Sequence, residues 1–459
     1  MPTINGDDDG NLLNGTGAGE TIYGKGGADL LFGRGGVDFL YGGTEDDYLA
    51  GGSGADLLSG GSGRDVASYL DAAAGVTVDL LSGQGQAGDA AGDLLVSIEN
   101  LSGSAYADTL IGDAGDNTIA GNKGNDLLVG GAGADRLYGG DGIDAVSYAT
   151  SGSGVKLDLV QGAGSTGDAA GDLLSGIENV TGSAAEDSIN GSNGANSLSG
   201  GGGNDLINGA WGNDIVAGGA DDDHLSGGAG DDTLYGGSGF IDFLAGGEGA
   251  DKLFGGSGTD YATYLLASAA VTVELGVGGT GGEAAGDTFA SIEGVFGSWF
   301  DDSITGSASG DTVFASDGDD SISGSGGEDF LCGEGQDDTI DGGAGSDMIR
   351  GGDGVDVLTG GDASDDFFAF DGTSASESGR GIATSSPTSP AAATIGCSSS
   401  STPAPRRQGG RPLPSSAGTR SPPKARSASP MPTGTPSSGS TRPAPAAPSS
   451  RSSSRGKST

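Results

Sequence analysis

Histidine occurs once in the 459 residues, at His224, and cysteine only twice, at Cys332 and Cys397. One histidine rules out the HExxH zinc-protease motif. Two cysteines rule out a disulfide scaffold, and Cys332 is expected to remain a thiol. There is no apolar run long enough to cross a membrane. The opening MPTINGDDDG lacks the basic-then-apolar pattern of a conventional signal peptide. Basic residues are scarce where acids are dense: residues 1–371 carry 63 acids and eight bases, a formal net charge of −55. A surface of that sign excludes nucleic acid as a partner. It also repels itself, so folding needs a neutralising species, and divalent cations are the obvious one. Residues 372–459 invert the balance, with 11 bases and the single acid Glu377.

What is abundant is glycine, 99 residues of it. No three-residue period runs through the chain, which excludes collagen. A nine-residue period does. Units such as GKGGADLLF from Gly24 and GGSGADLLS from Gly51 fill four blocks, at residues 6–68, 103–147, 182–263 and 297–371. They hold seven, five, nine and eight units, with one inserted residue near Phe240. Inter-block segments occupy 69–102, 148–181 and 264–296. Each opens on a tyrosine (Tyr69, Tyr148, Tyr264) and contains an alternating stretch: GVTVDL, GVKLDL or AVTVEL. Such alternation predicts a half-buried strand. An acidic turn (GDAAGD, GDAAGD, GEAAGD) follows, and then SIENL, GIENV or SIEGV. The blocks differ by whole units, as a stacked solenoid tolerates.

Within a unit, the first six residues read as a turn and the last three as a short strand with an apolar eighth position, as at Leu31, Leu40, Leu128 and Ile340. One buried leucine stabilises by roughly 1.5–3 kcal/mol. Ordering nine residues costs roughly 1–2 kcal/mol each in backbone entropy. An apolar core alone therefore cannot hold such a fold. The sixth position supplies what is missing. It is Asp29, Asp38, Asp47, Asp56 and Asp65 in the first block, and Asp108, Asp126, Asp135 and Asp144 in the second. In the third it is Asp187, Asp205, Asp214, Asp223, Asp232, Asp242, Asp251 and Asp260. In the fourth it is Asp302, Asp311, Asp320, Asp329, Asp338, Asp347 and Asp356. Calcium takes six to eight oxygens from carboxylates and backbone carbonyls. One carboxylate per glycine-rich turn, repeated in register, offers such a set. Asn11, Glu20, Asn117 and Asn196 take the position in four units, and the asparagine sites carry less charge. Asp108, Asp187 and Asp302 follow glycine patterns that depart from the consensus.

These units resemble the hemolysin-type calcium-binding repeat, the RTX nonapeptide GGxGxDxUx, over about residues 6–371. The resemblance implies an all-β, right-handed parallel β-roll solenoid in four blocks, two nonapeptides to the turn. Calcium would lie between turns, shared by units i and i+2, giving at most 21 sites. It also implies export through a type I channel and folding on extracellular calcium. A surface or adhesin-like role would make a cell-surface or matrix polysaccharide its partner.

The tail departs from that pattern. Residues 372–459 are Ser/Pro/Arg-rich and read as disordered. Yet Thr384-Ser-Ser-Pro-Thr-Ser can be encoded ACG TCA TCA CCG ACT TC. Begun one base earlier, with a G, those codons spell Asp-Val-Ile-Thr-Asp-Phe, the continuation expected of the family. A frameshift between about Gly372 and Ala383 accounts for this, at the cost of the export signal.

The remaining motifs are weak. GxGxxG patterns follow from glycine content alone, and Gly26 stands where a P-loop needs Ser or Thr. His224 is expected at the surface. Trp211 and Trp299 could contact sugars, although turn or packing roles account for them. Carboxylate pairs such as Asp46/Asp47, Asp231/Asp232 and Asp301/Asp302 mimic glycosidase chemistry, but only the second member holds the sixth position. A structural or adhesin-like protein without catalysis is therefore expected. The repeats begin near Gly6 and leave no room ahead of them for a protease, lipase or epimerase domain. An enzyme reading requires the chain to be a fragment of a larger one.

Overall fold

A computed structural model describes residues 1–368, so the expectations about the tail lie outside the described residues. Within them the chain is a parallel β-solenoid in which successive nonapeptides alternate between opposed sheets. Leu13, Leu31, Leu49 and Ala67 stack in one sheet. Ile4, Ile22, Leu40 and Leu58 stack in the other. Each step is 18 residues, two units. In a strand, residues two apart share a face, so position 8 points inward while 7 and 9 point out. Leu31, Leu40, Leu49, Leu58, Leu128, Leu137, Ile207, Leu234, Ile340 and Ile349 are completely buried. They belong to one continuous core running from Ile22 to Leu358.

The strands are longer than the expected three residues. Many span six, such as Leu30–Gly35 and Phe39–Thr44, and enter the first three positions of the next unit. Pairing reaches that far because turn residues stack in register too, as Arg34 with Gly52 and Gly35 with Ser53. The second position of these open turns has a positive φ, 91° at Gly52 and 123° at Gly43. That is the backbone reason for glycine there. Lys25 and Arg34 adopt the same conformation, at 87° and 79°.

The inter-block segments form the predicted half-buried strands, with Val78, Leu157 and Val273 pointing inward. Each strand turns back as an antiparallel hairpin inside an otherwise parallel sheet. Thr77–Asp79 pairs with Gln84–Ala87, which pairs with Leu94–Val96. The acidic turn is a short 3-10 element, Gly88–Ala90, whose Ala90 is buried. The first hairpin enters the 16-stranded sheet that runs from Thr3–Asn5 to Thr288–Ala290. The second, Lys156–Asp158 with Ala163–Gly164, enters the opposite sheet. The third, Thr272–Glu274 with Gly278–Gly281, opens a separate six-stranded sheet that ends at Val357–Asp362. Hairpins change sides because the middle blocks hold odd numbers of units, which return the chain to the sheet it started from.

The inserted residue bulges outward: Phe240 is 85% exposed. Register survives, with the step lengthening from 18 to 19 residues between Asp223 and Asp242. Outside the sheets, side chains at positions 7 and 9 stack along the axis. Tyr23 lies on Tyr41 at 5.0 Å. A longer run passes from Phe243 through Tyr261, Phe296 and Phe314 to Phe330. Cys332, beside this run, is fully buried. No helix among the described residues is long and apolar enough to cross a membrane.

Candidate metal centres

The sixth-position side chains form two rows, one along each edge of the solenoid. In one, Asn11 N–H donates to Asp29 Oδ1 at 2.7 Å. Asp29 N–H then donates to Asp47 Oδ1, and Asp47 N–H to Asp65 Oδ1, each at 2.8 Å. In the other, Glu20 N–H donates to Asp38 Oδ1 at 2.6 Å and Asp38 N–H to Asp56 Oδ1 at 2.8 Å. Units i and i+2 are thus joined, as the repeat spacing requires. The pairs separate as expected: Asp47, Asp232 and Asp302 are buried while Asp46, Asp231 and Asp301 are exposed.

One carboxylate oxygen is used in this way and the other is not. Among the described residues, 19 buried aspartate Oδ2 atoms have no hydrogen-bond partner, and all 19 are sixth-position residues. Each such atom costs about 1–3 kcal/mol, more when charged, unless something binds it. In all of these units but that of Asp320, the first residue is a glycine, against which the carboxylate packs where a Cβ would stand. A Cβ on Gly42 would stand 2.2 Å from Asp47 Oδ2 and 2.7 Å from the Gly60 carbonyl oxygen. On Gly121 it would stand 2.2 Å from Asp126 Oδ2 and 2.7 Å from Gly139 O. Carboxylate and carbonyl oxygens therefore converge on one glycine, and all the donors are hard oxygens, as calcium prefers. No group of three His, Cys, Asp or Glu side chains converges among the described residues. Centres of this kind draw on main-chain oxygens as well as side chains.

Without a cation the rows are electrostatically uncomfortable. Burial is the chief cause that pushes Asp47 and Asp56 up to about 6, Asp205 to about 7 and Asp338 to about 8. Neighbouring row carboxylates add to the effect, and the donated N–H opposes it.

Eight turns are closed differently. In the first two units of every block, the N–H of position 2 turns onto the unit's own sixth side chain. Asp7 donates to Asn11, Thr16 to Glu20, Ser104 to Asp108 and Asp113 to Asn117. Ser183, Ser192, Ser298 and Ser307 do the same to Asp187, Asn196, Asp302 and Asp311. Asp108, Asp187, Asp302 and Asp311 thus lie in the rows with Oδ2 already satisfied. Their departure from the GG pattern is the visible signal. Asp356 accepts from Asp338 N–H at 3.1 Å, and Asp365 from Asp347 N–H at 3.1 Å. Asp365 is a row member that the sequence reading left out.

The sequence reading also missed six inter-block acids. Asp56 N–H donates to Asp93 Oδ1, Asp135 N–H to Asp172 Oδ1 and Asp251 N–H to Asp287 Oδ1. Asp65, Asp144 and Asp260 N–H donate to Glu99, Glu178 and Glu293 Oε2. The second oxygen of each inter-block aspartate is satisfied. Tyr69, Tyr148 and Tyr264 hydroxyls donate to it at 3.1, 2.8 and 2.7 Å. Burial and the adjacent carboxylate hold these phenols well above their usual range, so they stay donors. The threefold recurrence of Tyr, then GDAAGD or GEAAGD, then IEN or IEG was the available signal. His224 is exposed and stacks on Phe243. Trp211 is exposed, and Trp299 Nε1–H donates to Leu265 O.

The family model described as the RTX calcium-binding nonapeptide repeat matches more than half of the chain. Its matches cover 14–67, 97–146, 174–262, 296–331 and 333–367 as overlapping or abutting hits. They lapse over most of each inter-block segment. No curated protein matches the chain.

Proposed function

Since this chain belongs to the RTX calcium-binding nonapeptide repeat family, we propose that its sixth-position aspartates hold calcium between turns and that calcium makes the fold stable. The observation that carries this is the set of 19 buried, unpartnered Oδ2 atoms, 18 of them in units that open on a glycine, with Ala315 in that place for Asp320. The residues would be Asp29, Asp38, Asp47, Asp56 and Asp65, with their counterparts through Asp347. Asp108, Asp187, Asp302 and Asp311 would contribute less, because serine N–H groups already serve them. Bound calcium supplies positive charge and accepts oxygen lone pairs. The chain supplies one carboxylate per turn, a carbonyl from the neighbouring turn and a glycine that excludes a side chain.

The finer reading is a secreted, non-catalytic structural or adhesin-like protein of four calcium-stabilised blocks, exported unfolded. Low internal calcium would keep such a chain unfolded and high external calcium would fold it. The outward stacks Tyr23–Tyr41 and Tyr235–Phe254 offer flat faces for a surface polysaccharide. Calcium titration of the full chain followed by circular dichroism tests the core of this reading. A cooperative gain of β signal is expected at about 10⁻⁴–10⁻³ M calcium, the range of extracellular modules. A β signal indifferent to chelator would overturn it.

A further inference from the structure

We propose that each inter-block segment completes one more cation site, built from the last aspartate of the preceding block and the glutamate of its IEN or IEG motif. The pairs are Asp65 with Glu99, Asp144 with Glu178 and Asp260 with Glu293. This rests on the calcium reading of the rows and extends it to segments that the nonapeptide pattern does not describe.

Within a block, a site has three protein parts: an unpartnered Oδ2, a first-position glycine carbonyl from the next turn, and the next carboxylate in the row. For Asp47 these are its Oδ2, Gly60 O and Asp65. At the end of the first block the next nonapeptide is missing, yet all three parts recur. Asp65 is fully buried and its Oδ2 has no partner. A Cβ on Gly60 would stand 2.3 Å from that atom and 2.2 Å from Ser97 O. Glu99 Oε2 accepts Asp65 N–H at 2.8 Å, as Asp65 Oδ1 accepts Asp47 N–H. The longer glutamate reaches the row from a segment of different backbone path.

The arrangement is repeated twice. Asp144 Oδ2 is unpartnered, a Cβ on Gly139 would stand 1.9 Å from Gly176 O, and Glu178 is next in the row. Asp260 Oδ2 is unpartnered, a Cβ on Gly255 would stand 1.9 Å from Ser291 O, and Glu293 is next. Ser97, Gly176 and Ser291 all have positive φ, at 50°, 63° and 52°. Two serines thus hold a conformation that L residues seldom adopt. The opposite row contrasts with this: there the inter-block carboxylate is taken by a tyrosine hydroxyl. Each segment therefore closes one edge with its own donor and leaves the other open for an ion that would tie consecutive blocks together.

The test is calcium stoichiometry of the calcium-loaded full chain, by equilibrium dialysis, alongside dichroism. Glu99→Gln/Glu178→Gln/Glu293→Gln keeps an amide oxygen to accept the row N–H but removes the charge. It is expected to fold in calcium and bind three fewer ions per chain. Asp89→Asn/Asp168→Asn/Glu283→Gln removes the same charge from the same segments outside the rows and is expected to bind as many as the wild type. An unchanged count in the glutamate variant would overturn the proposal while leaving the block sites standing. A wild-type chain that binds no calcium would overturn the block sites themselves. If the triple variant fails to fold, each single variant is expected to lose one ion, and singles with a full count would equally overturn it.

Discussion

Asp47 and Asp93 hold equivalent places in the two rows and end differently. Each accepts a backbone N–H on Oδ1 from the turn before it. Asp47 Oδ2 then meets nothing, whereas Asp93 Oδ2 meets the Tyr69 hydroxyl. In the open nonapeptide turns no donor of the turn reaches that oxygen. An inter-block segment is long enough to carry a tyrosine there. On the proposed reading, the blocks depend on a cation for what the inter-block segments supply internally on one edge. The eight closed opening turns repeat the lesson, since a backbone N–H does there what the phenol does at the junctions.

The largest expected effect follows from the number of unpartnered carboxylates. An aspartate titrates at about 3.9 in an unfolded chain but is pushed up to about 6 at Asp47 and about 8 at Asp338. Between those values the metal-free folded chain holds more protons than the unfolded one. Its stability is therefore greatest at acid pH and is lost as pH rises through about 6 to 8. In chelator, the β signal should be stronger near pH 4 than near pH 8, and a dichroism series over pH would read this. A pH-independent signal would remove the contrast between the two kinds of carboxylate.

Next in size is the core. Leu128→Ala should cost about 2–5 kcal/mol, measured by denaturant unfolding in calcium. In chelator at neutral pH it should cost nothing, because the block is already unfolded. Smallest is the junction: Tyr69→Phe leaves Asp93 Oδ2 buried without its donor and should cost about 1–3 kcal/mol in the same assay. A loss near zero would mean that a cation takes the vacated place, which would make the junction resemble a block.

The repeat, its inward position 8 and most of its row residues were legible in the sequence, because a nine-residue period fixes both register and face. Asp93 and Glu99 were not. Their row partners, Asp56 and Asp65, lie 37 and 34 residues away, and neither distance is a multiple of nine. Strand length was misjudged because stacking draws Arg34 and Gly35 into the ladder, which composition alone reads as turn. Asp365 was passed over at the end of the array, where GGDASD departs from the consensus.

Hydrogen exchange of the full chain, read segment by segment in calcium and in chelator, tests the central claim most directly. The row amides of Asp29, Asp47, Asp126 and Asp214 should be strongly protected in calcium and exchange freely in chelator at neutral pH. Equal protection of these amides in both conditions would contradict the claim that calcium holds the roll together.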